Sequence, residues 1–140
     1  MMIHKVTPVL NVSNVPESIA WFEQIGWTRG FTWNDGGVIK LAADRNEHGD
    51  ADFGGVRQDE AEIFLCRDGQ GARGDAVTDG VWMSWWMTSP AEVDELHAVA
   101  LRNGYTVACP PKDEPWGVRE FHLRHPDGHT FRVSGGLGKD

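Results

Sequence analysis

Cysteine is scarce: Cys66 and Cys109 are the only two in 140 residues. Two cannot build a disulfide framework, so both are expected as reduced thiols in a cytoplasmic protein. No apolar run approaches the ~20 residues of a membrane-spanning helix, and the N-terminus carries no stretch resembling a secretory signal. Positive charge is scarce too: 13 Lys and Arg stand against 21 Asp and Glu, a formal net charge of −8. Nucleic acid and anionic membrane both require a cationic face, so neither is an expected partner. The acidity suits a cationic small ligand, although it also serves solubility alone. Catalytic signatures are missing as well. The six histidines include no His-x-His or His-Glu-x-x-His spacing, and no Gly-x-Ser-x-Gly occurs. The histidines read as surface or edge-strand residues, Cys66 as a small core residue, and Asp113 and Glu114 as part of a solvated, Pro-rich loop. No catalytic residue is assigned.

What the chain does have is tryptophan, seven in all. Packing a domain of this size needs only one or two, so others are expected to line an aromatic site. It also has a weak internal repeat. Val6–Val12 reads as a strand, and Asn14-Val15-Pro16-Glu17 opens a helix with an Asn cap, an early Pro and an acid at the third position. Val15, Ile19, Phe22 and Ile25 share one helical face, and Gly26 ends the helix. Val81–Met87 then repeats the strand. Ser89-Pro90-Ala91-Glu92 repeats the cap, Val93, Leu96 and Ala100 form the buried stripe, and Asn103-Gly104 stops the helix. The interval from Gly26 to Gly104 exceeds that from Pro16 to Pro90 by four residues, which makes the second helix about one turn longer.

Further strands are expected at 30–33, 38–42 and 61–66 in the first half, and at 106–108, 120–123 and 130–133 in the second. The polar, Gly-rich segment 44–60 reads as a mobile excursion between strands, with Phe53 as its one ligand-facing residue. The fold class is therefore α+β: two β-α-β-β-β modules, at about 3–66 and 80–134, joined by a linker at about 67–79 within a single domain of 1–140. An open sheet with one helix leaves a face uncovered, so the two modules should pair into a cup-shaped mixed sheet.

The C-terminal stretch is the most specific. Phe121 and Leu123, then Phe131 and Val133, alternate with polar neighbours as half-buried strands do, and Pro126-Asp127-Gly128 makes the turn between them. Trp116-Gly117 precedes the first strand, an aromatic beside a residue that allows close backbone approach. The pattern Trp116-Gly117-Val118-Arg119-Glu120-Phe121, followed by Pro126-Asp127-Gly128, resembles the C-terminal hairpin of bleomycin-resistance proteins. These belong to the glyoxalase/bleomycin-resistance/dioxygenase (vicinal oxygen chelate) superfamily. His125 departs from the Asp usual before that Pro.

The resemblance covers nearly the whole chain and implies the same cup of two modules. Enzymes of the superfamily hold a divalent metal on the first and last strands of each module. Carried onto this sequence, those positions fall on Thr7, on Phe64, Leu65 or Cys66, on Trp82 and on Arg132. His4 lies nearby but points to the other face. Such a set suits no divalent ion, so neither a metal nor another cofactor is expected.

The cup should then serve as a binding cleft. Trp82, Ser84 and Trp86 share one strand face and Met83, Trp85 and Met87 the other. Both faces are apolar, so that strand is expected to be buried on both sides. Trp21, Trp27 and Trp85 are assigned to the core. Trp116, Trp86 and Trp82, with Ser84 and possible help from Trp33, are assigned to the cleft, where facing indoles would sandwich a planar group. Asp35, Asp59 and Glu60 are candidate rim acids, and Arg132 either meets the ligand or pairs with an acid. Bleomycins carry a planar bithiazole and a cationic tail. The resemblance thus implies a metal-free homodimer that sequesters a planar, cationic antibiotic or another flat natural product. A metal-dependent lyase or dioxygenase with an atypical site is the alternative. A third reading is a small interaction domain whose interior is filled by the tryptophans.

Overall fold

A computed structural model describes residues 1–39, 44–69, 71–75 and 77–138. The chain divides into two compact units, Met1–Ala72 and Arg73–Asp140.

In the first unit, strand β1 (Val9–Val12) leads into helix α1 (Val15–Glu23), followed by β2 (Thr28–Asn34) and β3 (Gly37–Val38). Next come the short hairpin β4 (Arg45–Asn46) and β5 (Gly49–Asp50), then β6 (Phe53–Gln58) and β7 (Ala61–Arg67). The main sheet has the order β1-β7-β6-β2-β3, with β1 parallel to β7 and the other pairs antiparallel. The Asn14 side chain caps α1 by accepting from the Glu17 N–H at 2.9 Å. Val15, Ile19, Phe22 and Ile25 are buried, as their spacing implies, against Leu10, Val56, Ile63 and Leu65. Trp21 and Trp27 are core residues, each set edge-on to Phe22 with ring centroids 5.0 and 5.6 Å away.

The structure differs from expectation over 38–60. Val38 pairs in the two-residue β3, Ile39 lies beyond that strand, and 40–42 fall outside the described residues. The segment 44–60 is not a plain excursion, because β6 occupies the centre of the sheet between β2 and β7. Gly54 and Gly55 argue for a loop by composition, yet here they serve close approach. A Cβ on Gly54 would lie 3.0 Å from the Phe31 carbonyl oxygen and 3.1 Å from Val15 of the helix above. Asp44 is buried and ion-paired with Arg29, and Asn34 and Asn46 exchange reciprocal amide hydrogen bonds of 2.8 and 3.0 Å. β1 is shorter than 6–12 and begins after Pro8, which has no N–H to give a ladder.

The second unit repeats the plan with β8 (Trp82–Met87), α2 (Pro90–Arg102), β9 (Thr106–Asp113), β10 (Val118–Arg124) and β11 (Thr130–Gly136). The sheet order is β8-β11-β10-β9, with β8 parallel to β11. Ser89 caps α2 through the Glu92 N–H at 3.3 Å. This helix has 13 residues against 9 in α1, the extra turn that the glycine and proline offsets imply. Val93 and Ala100 are buried on α2, and Phe121, Leu123, Phe131 and Val133 are buried on the sheet face that carries Met83, Trp85 and Met87. Trp85 stacks on Phe131 with centroids 4.2 Å apart. At the N-terminus of α2 the strand comes close enough that a Cβ on Gly135 would lie 2.5 Å from the Ser89 carbonyl oxygen.

β9 extends well past 106–108, through Pro110 and Pro111 to Asp113. It is an edge strand, where a missing N–H costs no ladder bond. Asp113 is thus strand rather than loop, and with Asp94 it holds Arg119, at 3.1 and 2.7 Å. Two histidines also depart from expectation. His125 and His129 are buried, and residues 73–75 and 77–81 fasten over the final turn. Gly74 donates to the Asp127 carbonyl, Gly80 to the Gly128 carbonyl, and Val81 to His129 Nδ1, at 2.8, 2.8 and 3.0 Å. Burial, then the neighbouring charge of His129, push the His125 imidazole down to about 3, against an upward pull from Asp127.

Candidate functional site

Side chains alternate across a strand, so the register of β8, β11 and β10 fixes which residues share the sheet face turned away from α2. Trp82, Thr130 and Arg124 lie in one row, Ser84, Arg132 and His122 in the next, and Trp86, Ser134 and Glu120 in the third. Trp82 and Trp86 are 48% and 73% exposed. The expectation that β8 is buried on both sides is therefore corrected: in this unit α2 covers one face and leaves the indoles of the other uncovered. Four residues along a strand place their Cα atoms ~13 Å apart. They are two separate platforms with Ser84 midway, and Trp82 turns its ring edge-on to His122 at 5.4 Å.

Beside the platforms, on β11 and β10, lies a polar network centred on Glu120, which is buried. Its carboxylate accepts from Arg132 Nε and Nη2, both at 3.1 Å, from His122 Nε2 at 2.9 Å and from Ser134 Oγ at 2.7 Å. Desolvation alone would raise the Glu120 pKa, but the hydrogen bonds from Arg132, His122 and Ser134 outweigh it and hold the group at about 2. Arg132, whose side chain is 39% exposed, therefore pairs with an acid. Its Nη1 meets no protein acceptor among the described residues. Trp116, 59% exposed, sits in the turn between β9 and β10. That turn lies at the Trp86 end of the sheet, where the Gly117 carbonyl accepts from Leu137 N at 2.9 Å.

The remaining expected site residues are in the first unit. Trp33 and Phe53 are register partners on the sheet face away from α1. Phe53 packs against Phe31 and Phe64, with ring centroids 5.7 and 5.4 Å away. Phe31 was not singled out from the sequence, and Phe64 was named only at a metal-ligand position, although both sit at alternating positions of the strands that carry Trp33 and Cys66. Asp35 is exposed in the turn between β2 and β3, and Asp59 and Glu60 are exposed in the turn between β6 and β7. Glu120, His122 and Ser134 were also missed as site residues. Their signal was available in the same alternation that placed Phe121 and Leu123 in the core.

At the positions where the resemblance implies a divalent ion, the chemistry does not fit one. Thr7 precedes β1, Leu65 faces the core, Phe64 is in the aromatic cluster, and Trp82 and Arg132 offer an indole and a cation. Glu120, the acid paired with Arg132, has both its oxygens held by Arg132, His122 and Ser134. Among the described residues no three His, Cys, Asp or Glu side chains converge.

Comparison with known proteins agrees with this fold. The structure is similar to TioX from Micromonospora sp. ML1, at 16% identity and a TM-score of 0.69, over 95% of this chain and 100% of that one. It is similar to a lactoylglutathione lyase from Agrobacterium tumefaciens, at 15% identity and a TM-score of 0.66, over 96% of each. It is also similar to a bleomycin-binding protein complexed with bleomycin, at 15% identity and a TM-score of 0.64, over 96% of this chain and 99% of that one. No curated protein matches the sequence. At such identities the likeness shows the fold alone. The family profile described as Glyoxalase/Bleomycin resistance protein/Dioxygenase superfamily matches residues 3–133. The chain belongs to the glyoxalase/bleomycin resistance protein/dioxygenase superfamily.

Proposed function

We propose that this protein binds and sequesters a planar small molecule on the aromatic face that carries Trp82, Ser84, Trp86 and Arg132, without a metal and without making or breaking a bond. The observation that carries this reading is the alternation of β8. Its Trp85 face is half-buried, with Trp85 stacked on Phe131, while its Trp82 face leaves two large indoles in solvent beside a fixed polar group. Exposed aromatic surface on a well-packed scaffold marks an interaction site. Stacking on an indole is worth roughly 0.5–1.5 kcal/mol beyond burial, and an acid–base pair that holds its own geometry lends orientation at little entropic cost. Trp116 extends the aromatic surface at one end. Trp33 and Phe53 form a second aromatic patch, and Asp35 is a rim acid in the same reading. The fold similarity to a protein whose structure contains bleomycin supports a bleomycin-like or other planar natural product as ligand. A homodimer is part of the proposal.

A tryptophan-fluorescence titration with metal-free bleomycin tests it. The expected result is saturable quenching with about one drug per protomer at sub-micromolar affinity, weakened in Trp86→Ala. A flat curve to tens of micromolar removes bleomycin as the ligand. The lyase among the similar structures keeps a metal-dependent lyase or dioxygenase as the second reading. That reading requires copurified metal whose removal by a chelator lowers stability.

A further inference from the structure

We infer that the ligand of this face carries a hydrogen-bond-accepting oxygen, carbonyl or carboxylate, that seats on the Arg132 guanidinium, one strand in from the Trp82 and Trp86 platforms. The inference rests on the binding reading above and names the chemistry that the site selects.

Three observations point the same way. First, Ser84 lies midway between the two indoles on β8 and Arg132 is its register partner on β11, so a flat molecule lying across both strands meets these two donors. Second, the ion pair is oriented. Glu120 is only 5% exposed and its oxygens are filled by four donor atoms from Arg132, His122 and Ser134. The exposed end of the pair is the guanidinium, with Nη1 unspent among the described residues. A buried carboxylate that fixes an exposed guanidinium leaves a rigid, cationic donor facing outward, the arrangement that favours a planar acceptor. Third, the same network settles the sign. A ligand cation placed over the centre would meet Arg132 rather than Glu120, and like charges at contact distance repel. The net charge of −8 resides elsewhere, and at physiological salt its reach is cut to ~8 Å. Ligand cations are therefore confined to groups that project beyond the face.

Three probes with one ring system separate the possibilities: anthracene-2-carboxylate, anthracene-2-carboxamide and 2-(aminomethyl)anthracene. Each is titrated against the full-length protein at physiological salt, with tryptophan quenching and anthracene emission as readouts. The carboxylate and the carboxamide should bind roughly tenfold or more tighter than the ammonium. Tighter binding of the carboxylate than of the amide identifies an acid as the natural group, and equal binding identifies a carbonyl. In Glu120→Gln/Arg132→Gln, which removes both charges together, the preference should fall to near unity. Arg132→Lys keeps the charge but loses the planar fork, so the carboxylate should be retained better than the carboxamide. Equal binding of all three probes by the unaltered protein, or tighter binding of the ammonium, overturns the inference and leaves the binding reading standing. No binding of any probe overturns the binding reading itself. Should the double variant fail to fold, the Arg132→Lys comparison decides, and an unchanged ratio of carboxylate to carboxamide affinity there counts against the inference.

Discussion

Removing Arg132 tests whether Glu120 is held in the way the geometry requires. In Arg132→Met the carboxylate loses two of its four hydrogen-bond donors and its neutralising charge, while its burial persists. Deleting one partner of a fully buried ion pair costs ~3–5 kcal/mol. Here the arginine side chain is 39% exposed, so water screens part of the interaction and ~2–3 kcal/mol is the appropriate scale. Glu120→Gln alone should cost ~1–2 kcal/mol, because an amide oxygen can still accept from Ser134. The double variant leaves neither a buried charge nor an unpaired guanidinium, and should be no less stable than Arg132→Met. The coupling energy of the cycle should thus be at least ~1–2 kcal/mol. Urea unfolding at pH 7 reads it from midpoint shifts at constant slope. Additive effects within ~0.5 kcal/mol would refute the claim that the carboxylate depends on Arg132.

Other expected outcomes follow the same logic. Because His125 titrates near 3 in the folded protein against 6.5 in the unfolded chain, its contribution is fully present above 6.5 and is lost as the pH falls toward 3. Glu120, lowered from 4.5 to about 2, adds a further loss below 4.5. Urea midpoints measured across pH 7 to 3 should fall, and His125→Phe should flatten the upper part of that fall. Gly54→Ala and Gly135→Ala each force a Cβ against backbone and should cost ~1–3 kcal/mol, seen as a drop in Tm of several degrees. Trp86→Ala, which leaves an indole already 73% exposed, should cost at most ~1.5 kcal/mol in the same assay, against ~3–5 kcal/mol for the buried Phe121→Ala. Sedimentation velocity at micromolar concentration should show a species of twice the monomer mass.

The helices were legible because their signals are local. Asn14 and Ser89 cap, Pro16 and Pro90 start, and the glycines at 26 and 104 stop, each through bonds within a few residues. The C-terminal hairpin was legible from alternation and the Pro126-Asp127-Gly128 turn. β6 was not, because its glycines suit a strand only when a helix and two neighbouring strands crowd it. Nor was the reach of β9, since Pro110 and Pro111 are tolerated only at a sheet edge, and edge status is a property of the whole sheet. At the site, the sequence singled out the tryptophans and Arg132 but missed the group that organises them. Glu120 reads as one acid of a motif until the register of β10 on β11 sets it beside Ser134 and one row from Arg132. The sequence already set the Trp85 face of β8 against the helix; what it did not reveal is that the Trp82 face stays uncovered in this unit.

The most direct measurement is an NMR titration of the indole N–H signals with anthracene-2-carboxylate. Each of the seven tryptophans gives one such signal, assigned by single substitutions. The account predicts that Trp82, Trp86 and Trp116 shift in a saturable, concerted manner, while Trp21, Trp27 and Trp85 stay in place. Shifts confined to the core tryptophans, or none at all, would contradict a binding face on this sheet.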